Sequence, residues 1–419
     1  MTEAAANAIP SPPDNLIKPQ DIINRYSVEE LCQSADDYFS SITDPTEQMA
    51  KPFGNMLDGP AILQNMGLLL SEMRLGPTTR VLEFGAGTCW FSRFLLQARC
   101  QVIACDASRA ALEIGKRLFR EQPVIGPQIA EPQFLWFDGH TIDLPDESVD
   151  RIICFDSFHH VPNQEEVIAE LARVLKKGGI AGFSEPGRIH STTRASQHEM
   201  KNYAVLENDI VVEDLFAIAG RYGFTDIRIK LIADLLIPLE QHQAILHSST
   251  NALQATQLAI TVAKNVRAET VNRNIFYLYK GPFLSDSRSM DGLSHRLEPA
   301  HTRLAASAGQ PVRLNLRITN TGSALWLHEN IDYIGVVRVG THLYGEDGTL
   351  IDFDFSRHDL PKAVRPGEHI DLALDVTLPS AGSYRLAVDL VSEHVCWFER
   401  LTSHPVSIQV DVAEPGPAA

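Results

Sequence analysis

The stretch RVLEFGAGTCWFSRFLL, residues 80–96, decides the fold of the region around it. Its apolar start at 81–82 predicts a buried parallel strand, a turn through Gly85 and Gly87 follows at once, and the apolar spacing of 91–95 predicts an amphipathic helix. Strand, glycine turn and helix are how a doubly wound sheet brings bare backbone against a nucleotide-like ligand. Glycine is expected there because a side chain would hold the ligand away from the backbone.

Two classes of ligand are compared at this turn. A dinucleotide fingerprint has a third glycine, but here the third position is Trp90. Glu83 lies just before the turn, where its carboxylate would repel a pyrophosphate and attract a ligand with a cationic amino-acid end. The next predicted strand, 101–105, ends in Asp106, where an acid can bind ribose hydroxyls. The pattern therefore favours a nucleoside with a positive charge over a dinucleotide.

Residues 81–88, VLEFGAGT, resemble motif I of the class I S-adenosylmethionine-dependent methyltransferases. The later motifs follow in the family's order: Asp138-Gly139 after a strand at 134–137, LPDESVD at 144–150 before a fourth strand, and RVLKKGG at 173–179 before a fifth. The chain departs from the family pattern at Lys177, where proline is usual, and at Cys89, where many members have glycine. The alternative to an active member is a degenerate one that no longer binds the cofactor.

The resemblance implies a doubly wound, Rossmann-like sheet and S-adenosyl-L-methionine as the cofactor. The residues that would bind the cofactor are Glu83, Gly85, Gly87, Asp106, Asp138, Gly139 and Phe155. Among them, Glu83 and the two glycines of the turn would line the methionine end, Asp106 would bind the ribose, and Asp138 would lie beside the adenine. A non-catalytic interaction protein that uses the same fold as a scaffold is the competing class.

The acceptor of such a domain would lie beyond the carboxyl ends of the fourth and fifth strands. Because histidine titrates near neutrality, His159 and then His160 are the predicted catalytic bases for a hydroxyl acceptor, and packing at a helix start is the alternative. Asp156 with Glu185 would suit a divalent cation. Nothing else in the sequence completes a ligand set, so no metal site is predicted.

Two segments after the fifth strand are interpreted as insertions. The polar segment 188–210 is expected on the substrate side, although His190 within it, like His140 earlier, is interpreted as a loop histidine. A helical insertion at about 238–266 precedes the last predicted strand. In the family an insertion there forms a lid or a dimer surface, so a homodimer is one expectation.

The net charge, the apolar runs and the cysteines of the chain argue against several classes of function. A net charge of −17 argues against a nucleic-acid substrate, which would require a basic face. No apolar run approaches the ~20 residues that span a bilayer, and the N-terminus lacks the features of a signal peptide. The six cysteines form no C-x-x-C pair, which favours reduced thiols and a cytoplasmic location.

With 419 residues, the chain is expected to form more than one domain. The predicted divisions are a disordered N-terminus at 1–20, a helical cap at 21–75, the methyltransferase domain at 76–281, a linker at 282–311 and a β-sandwich at 312–413. The sandwich is predicted because apolar residues alternate with polar ones from Val312 to Ile318 and in later segments separated by turn residues. Together with NTGSALW at 320–326, RPGEH at 365–369 and DLVSEHVCWF at 389–398, these segments resemble the immunoglobulin-like, carbohydrate-binding domain of O-antigen export ATPases.

The resemblances imply a methyl acceptor of one of two kinds. A carbohydrate-binding appendage would point to a sugar hydroxyl of a bacterial polysaccharide, glycolipid or nucleotide sugar, with Trp326, Tyr384 and Trp397 as a stacking platform. Core packing is the alternative role of these aromatic residues. The second kind is a small metabolite, with the sandwich as a dimerisation module, and a glycan-binding scaffold without catalysis is a third reading.

Overall fold

The computed structural model describes residues 16–76, 78–125, 131–246, 252–282, 285–330, 333–401 and 403–414. The chain divides into two compact units, Met1–Phe283 and Leu284–Ala419. Residues 1–15 of the predicted disordered N-terminus lie outside the described residues, and a helix begins at Pro19 within the rest of it. Among the described residues, no helix is both long enough and apolar enough to cross a bilayer.

The first unit begins with four helices: α1 Pro19–Arg25, α2 Val28–Ser40, α3 Thr46–Met49 and α4 Gly59–Met73. An alternation of strands and helices follows: β1 Arg80–Phe84, α5 Trp90–Gln97, β2 Gln101–Asp106, α6 Arg109–Glu121, β3 Gln133–Trp136, β4 Val149–Phe155, α7 Gln164–Val174 and β5 Leu175–Pro186. The remaining elements are α8 Arg194–Tyr203, α9 Val212–Arg221, β6 Asp226–Lys230, α10 Leu239–Leu246, α11 Ala252–Asn272 and β7 Arg273–Tyr279.

These strands form one seven-stranded sheet in the order β3-β2-β1-β4-β5-β7-β6. The first five strands of the chain are parallel, and β7 runs antiparallel to both β5 and β6. The strand order reverses between β1 and β4, so the carboxyl ends of these strands meet at the crevice where such sheets bind ligands. The predicted doubly wound, Rossmann-like fold is confirmed.

Two apolar layers enclose the sheet. Successive side chains of a strand point to opposite faces. Accordingly, Leu82 joins the apolar cluster on one side of β1, while Val81 packs with Phe91 and Leu95 of α5 on the other. The sheet is therefore covered on both sides, and its carboxyl edge remains for function.

In the described part of the second unit, strands predominate, and a short 3₁₀ turn lies at Phe398–Arg400. Its strands are β8 His295–Pro299, β9 Arg303–Ser307, β10 Pro311–Asn320, β11 Val337–Gly345, β12 Leu350–Asp359, β13 His369–Thr377, β14 Gly382–Ser392, β15 Cys396–Trp397 and β16 Val406–Ala413. One sheet has the order β13-β10-β8 and the other β12-β11-β14-β16-β9, with β15 beside β14. Buried residues of both sheets share one apolar cluster. The predicted β-rich unit is confirmed, and its likeness to immunoglobulin domains stays a prediction.

Two details of this unit differ from the sequence interpretation. The segment assigned to the linker contains β8 and β9, which pair with β10 and β16. The three aromatic residues considered for a sugar platform are buried: Trp326 is 0%, Trp397 7% and Tyr384 8% exposed. Because side chains buried to this degree present almost no ring face to a ligand, they do not form a stacking platform.

Candidate cofactor and acceptor site

The turn after β1 is held by the end of β2. The backbone amides of Gly85 and Ala86 donate to the carbonyl of Cys105 at 2.8 and 3.0 Å, and the amide of Gly87 donates to the Asp106 carboxylate at 2.6 Å. Asp106 also accepts from the amide of Ser108 at 2.8 Å. The glycine turn and the acid that sequence analysis assigned to one ligand are therefore in direct contact.

The two glycines of this turn are required for different reasons. At Gly85, which has φ +72°, a Cβ would lie 2.3 Å from the Cβ of Ser157, in the loop after β4. At Gly87, which has φ +52°, an added Cβ would lie 3.9 Å from the Phe39 ring, which is an ordinary van der Waals distance. Glycine is therefore required at position 85 because two loops pack closely there, and not because a ligand approaches the backbone, as the sequence analysis expected. Gly87 alone faces space that a ligand can fill.

Glu83 lies at the end of β1, just before the turn, and is 3% exposed. Burial raises its pKa to about 8, although a hydrogen bond donated by the Ser92 hydroxyl opposes this rise. Burial also raises the pKa of Asp106. Since a nearby positive charge favours the ionised form of a carboxyl group, a cation at this turn would stabilise both carboxylates.

The loop after β3 carries Asp138, which was predicted to lie beside the adenine. One oxygen of Asp138 accepts from the amides of His140 and Thr141 at 2.8 and 2.7 Å, and these bonds contribute to a pKa below the usual range. Gly139, at φ +97°, packs so closely on α2 that a Cβ would lie 2.7 Å from Val28. Asp138 is exposed. It is therefore placed to accept a further hydrogen bond from a ligand.

Phe155, which was also assigned to the cofactor, is 9% exposed at the end of β4. Its ring makes edge contacts with Trp90 and Phe91, at centroid distances of 5.7 and 5.4 Å. The ring is thus part of an aromatic cluster at the start of α5. Its contact with a cofactor stays a prediction.

On the acceptor side, His159 is fixed by Glu185 at the end of β5. Glu185 is fully buried, accepts from the amides of Ser157 and Phe158 at 3.1 and 2.9 Å, and lies 2.8 Å from Nδ1 of His159. Burial opposes the charge on His159, but the hydrogen bond and charge of Glu185 outweigh it and raise the pKa of His159. The pair therefore holds the Nδ1–H form of the ring, which directs Nε2 away from Glu185.

His160 is in a different environment from its neighbour. Its ring centroid lies 3.9 Å from that of His159, and its Nδ1 lies 2.7 Å from the carbonyl of Leu206. Burial among protein atoms, followed by the charge of His159, lowers the pKa of His160 to about 4. Its side chain is nevertheless 42% exposed, so solvent reaches the ring.

The segment 188–210 contributes two groups that the sequence did not identify. Nε2 of His190 lies 2.5 Å from Glu207, and the His190 ring is 4.9 Å from that of His159. His190 therefore lies beside His159, the predicted base, and is not the isolated loop histidine that the sequence suggested. His140, in contrast, lies between Glu29 and Glu166 near the surface, at 3.1 and 3.0 Å.

The carboxylate pair considered for a cation is not available as a pair. Asp156 lies 2.8 Å from Nη1 of Arg273, while Glu185 is bonded to His159. Each acid thus has a hydrogen-bonding partner of its own. A different group of possible ligands is present, because ligand atoms of His159, His160 and Glu207 all lie within 4.8 Å of one another.

The fold and these contacts can be compared with known proteins. Residues 82–183 match the family model described as methyltransferase domain. The chain contains a methyltransferase domain. Its cofactor is S-adenosylmethionine.

Relatives of the domain cover only part of the chain. The chain is 33% identical over 114 residues to sarcosine/dimethylglycine N-methyltransferase of Halorhodospira halochloris. This match covers 27% of this chain and 39% of that protein. The chain is 29% identical over 157 residues to demethylmenaquinone methyltransferase of Streptomyces griseus, covering 33% of this chain and 64% of that protein. The chain thus spans less than two thirds of the length of either relative.

Among solved structures, phosphoethanolamine N-methyltransferase 2 of Haemonchus contortus in complex with S-adenosyl-L-methionine is 17% identical. The match covers 64% of this chain and 61% of that chain, with a TM-score of 0.37. At this level the comparison adds nothing to the assignment made from the sequence family.

Proposed function

We propose that the chain is an enzyme that transfers the methyl group of S-adenosylmethionine to a nucleophilic atom of a small-molecule acceptor. The observation that carries this proposal is the arrangement at one edge of the sheet. Gly87 and Asp106 lie at the carboxyl ends of β1 and β2, and the His159–Glu185 pair lies at those of β4 and β5. A cofactor at the first pair would present its methyl group toward the second.

The residues at the turn fit the cofactor in shape and in charge. Gly87 leaves room beside the backbone, and each oxygen of Asp106 retains a lone pair for a ribose hydroxyl after accepting one amide. The methionine end carries an ammonium and a sulfonium charge, which would favour ionisation of Glu83 and Asp106. The second carboxylate oxygen of Asp138 would accept a hydrogen bond from the adenine amino group.

The chemistry requires few groups from the protein. In the proposed step the acceptor atom forms a bond to the methyl carbon as the sulfur–methyl bond breaks, and the sulfonium becomes a neutral thioether. The leaving group needs no acid, so the protein has to align the two reactants and accommodate the proton that a hydroxyl or ammonium acceptor loses. The cluster of His159, His160 and Glu207 would lie close to the acceptor atom that loses this proton.

A small molecule is the favoured acceptor for two reasons. The relatives named above act, by their names, on sarcosine, dimethylglycine and demethylmenaquinone. The aromatic residues that would have supported sugar stacking in the second unit are instead buried. A sugar hydroxyl on a polysaccharide, glycolipid or nucleotide sugar remains the competing proposal, since the β-rich unit has a predicted resemblance to carbohydrate-binding domains.

Transfer of labelled methyl from S-adenosylmethionine by the full chain would distinguish these acceptors. The panel should contain small amines, small hydroxy compounds and quinols beside nucleotide sugars and glycans. Label in a small molecule supports the proposal, whereas label in glycans alone would replace it with the sugar reading. Cofactor binding without transfer to any compound would favour the scaffold.

A further inference from the structure

The acceptor side gathers more metal-binding side chains than proton transfer requires. Three imidazoles and two carboxylates lie together there: His159, His160, His190, Glu185 and Glu207. Glu185 is 0% and Glu207 6% exposed. A buried carboxylate is costly unless a positive charge compensates it, and imidazole and carboxylate together are typical ligands of divalent transition metals.

We propose that His159, His160 and Glu207 bind a divalent cation of the zinc type, which in turn binds the acceptor. One ligand atom from each of these residues lies within 4.8 Å of the other two. Metal–ligand bonds of about 2.1 Å place tetrahedral ligands roughly 3.4 Å apart. Side-chain rotations that move each ligand atom by about an ångström would therefore close the site around an ion.

The surrounding hydrogen bonds match those of a metal site. Ligating histidines characteristically donate their other ring N–H to a carboxylate or a backbone carbonyl. Here Nδ1 of His159 is 2.8 Å from Glu185, and Nδ1 of His160 is 2.7 Å from the carbonyl of Leu206. These bonds occupy Nδ1 of both rings, which leaves Nε2 for a metal. Because Nδ1 of His160 is also the atom that lies 3.7 Å from Glu207, the His160 ring would turn to bring Nε2 to the site. His190, 2.5 Å from Glu207, orients the third ligand in the same way.

The site also has an entrance and open positions. The His160 side chain is 42% exposed, so an ion and an acceptor can reach it from solvent. Three protein ligands leave at least one coordination position for an acceptor hydroxyl. A hydroxyl bound to the ion would release its proton to solvent water, and the resulting alkoxide oxygen would form the bond to the methyl carbon as the sulfur–methyl bond breaks.

This inference rests on the proposed function for the role of the metal, but metal binding is measured independently of it. Untagged full chain, freed of metal with a chelator, would be titrated with Co²⁺, whose visible absorption reports nitrogen and oxygen ligation, and then with Zn²⁺ in competition. We expect one Co²⁺ per chain, displaced by Zn²⁺. His160→Ala and Glu207→Gln should each weaken binding by about 100-fold, and His190→Ala by about tenfold.

The control is His198→Ala, since His198 is an exposed histidine bonded to Asn202 on the same segment and should leave Co²⁺ affinity unchanged. The circular dichroism spectrum of each variant shows whether the fold is intact, and S-adenosylmethionine binding is measured separately by calorimetry. The metal site is disproved by absence of Co²⁺ absorption at millimolar metal, or by Co²⁺ affinities of the His160 and Glu207 variants equal to that of the wild type. Failure of S-adenosylmethionine to bind while Co²⁺ binds would overturn the proposed function and leave the metal site standing.

Discussion

Replacing Glu83 by Gln should remove a strong pH dependence from the stability of the first unit. Burial raises the pKa of this carboxyl from 4.5 to about 8. An acid whose pKa is higher in the folded state stabilises the fold fully below its unfolded pKa, and this contribution is lost progressively as the pH rises from 4.5 to about 8. With these two values, the loss is about 1 kcal/mol at pH 5.5 and about 4 kcal/mol at pH 8. The wild type should therefore lose about 3 kcal/mol over this interval.

Glu83→Gln has no such titration, so the free energy of unfolding of the variant minus that of the wild type should grow by about 3 kcal/mol from pH 5.5 to pH 8. Unfolding in urea can be monitored through the hydrogen exchange of the β1 amides, which reports on this unit alone. Glu113→Gln, on the exposed face of α6, is the matched control and should track the wild type. A constant difference between Glu83→Gln and wild type across this pH range would refute the argument that burial holds Glu83 protonated.

Three further predictions follow from the site. Binding of S-adenosylmethionine at pH 7 should release close to one proton, because its ammonium group would ionise Glu83; equal binding enthalpies in buffers of different ionisation heat would contradict this. Gly85→Ala should destabilise the unit by about 2–4 kcal/mol in urea unfolding, because its Cβ meets Ser157, and Gly87→Ala should cost less stability and more cofactor affinity. His159→Ala should lower turnover by about 10²–10⁴ and leave cofactor affinity unchanged, and full turnover would show that His159 takes no part in transfer.

The strand, glycine turn and helix could be predicted from the sequence because their signals are local. The apolar start of β1, the glycines and the stripe of α5 lie within 17 consecutive residues, the stretch 80–96. The order of the later motifs then predicted the sheet topology. The contact between Gly87 and Asp106 also follows from topology, because β1 and β2 are adjacent and parallel.

Features that depend on distant contacts could not be predicted in this way. Residue 303 in β9 pairs with residue 409 in β16, so nothing local distinguishes β9 from a linker. His190 and Glu207 lie in a polar segment without periodicity, and only folding places them beside His159. Glycine is likewise required at position 85 because Ser157 packs against it. Ser157 is 72 residues away, so no local pattern shows this requirement.

The most direct test of the account is calorimetric titration of the full chain with S-adenosylmethionine, in wild type and in Asp106→Asn. If the Asp106 carboxylate makes charge-assisted hydrogen bonds to the ribose, the variant should lose roughly 1.5–3 kcal/mol of binding free energy, which is about a 10- to 150-fold rise in Kd. Asp143→Asn, an exposed aspartate in the loop before β4, should bind as the wild type does. Saturable binding weakened only in the Asp106 variant is the result expected. A folded wild type that fails to bind at millimolar cofactor would contradict the account.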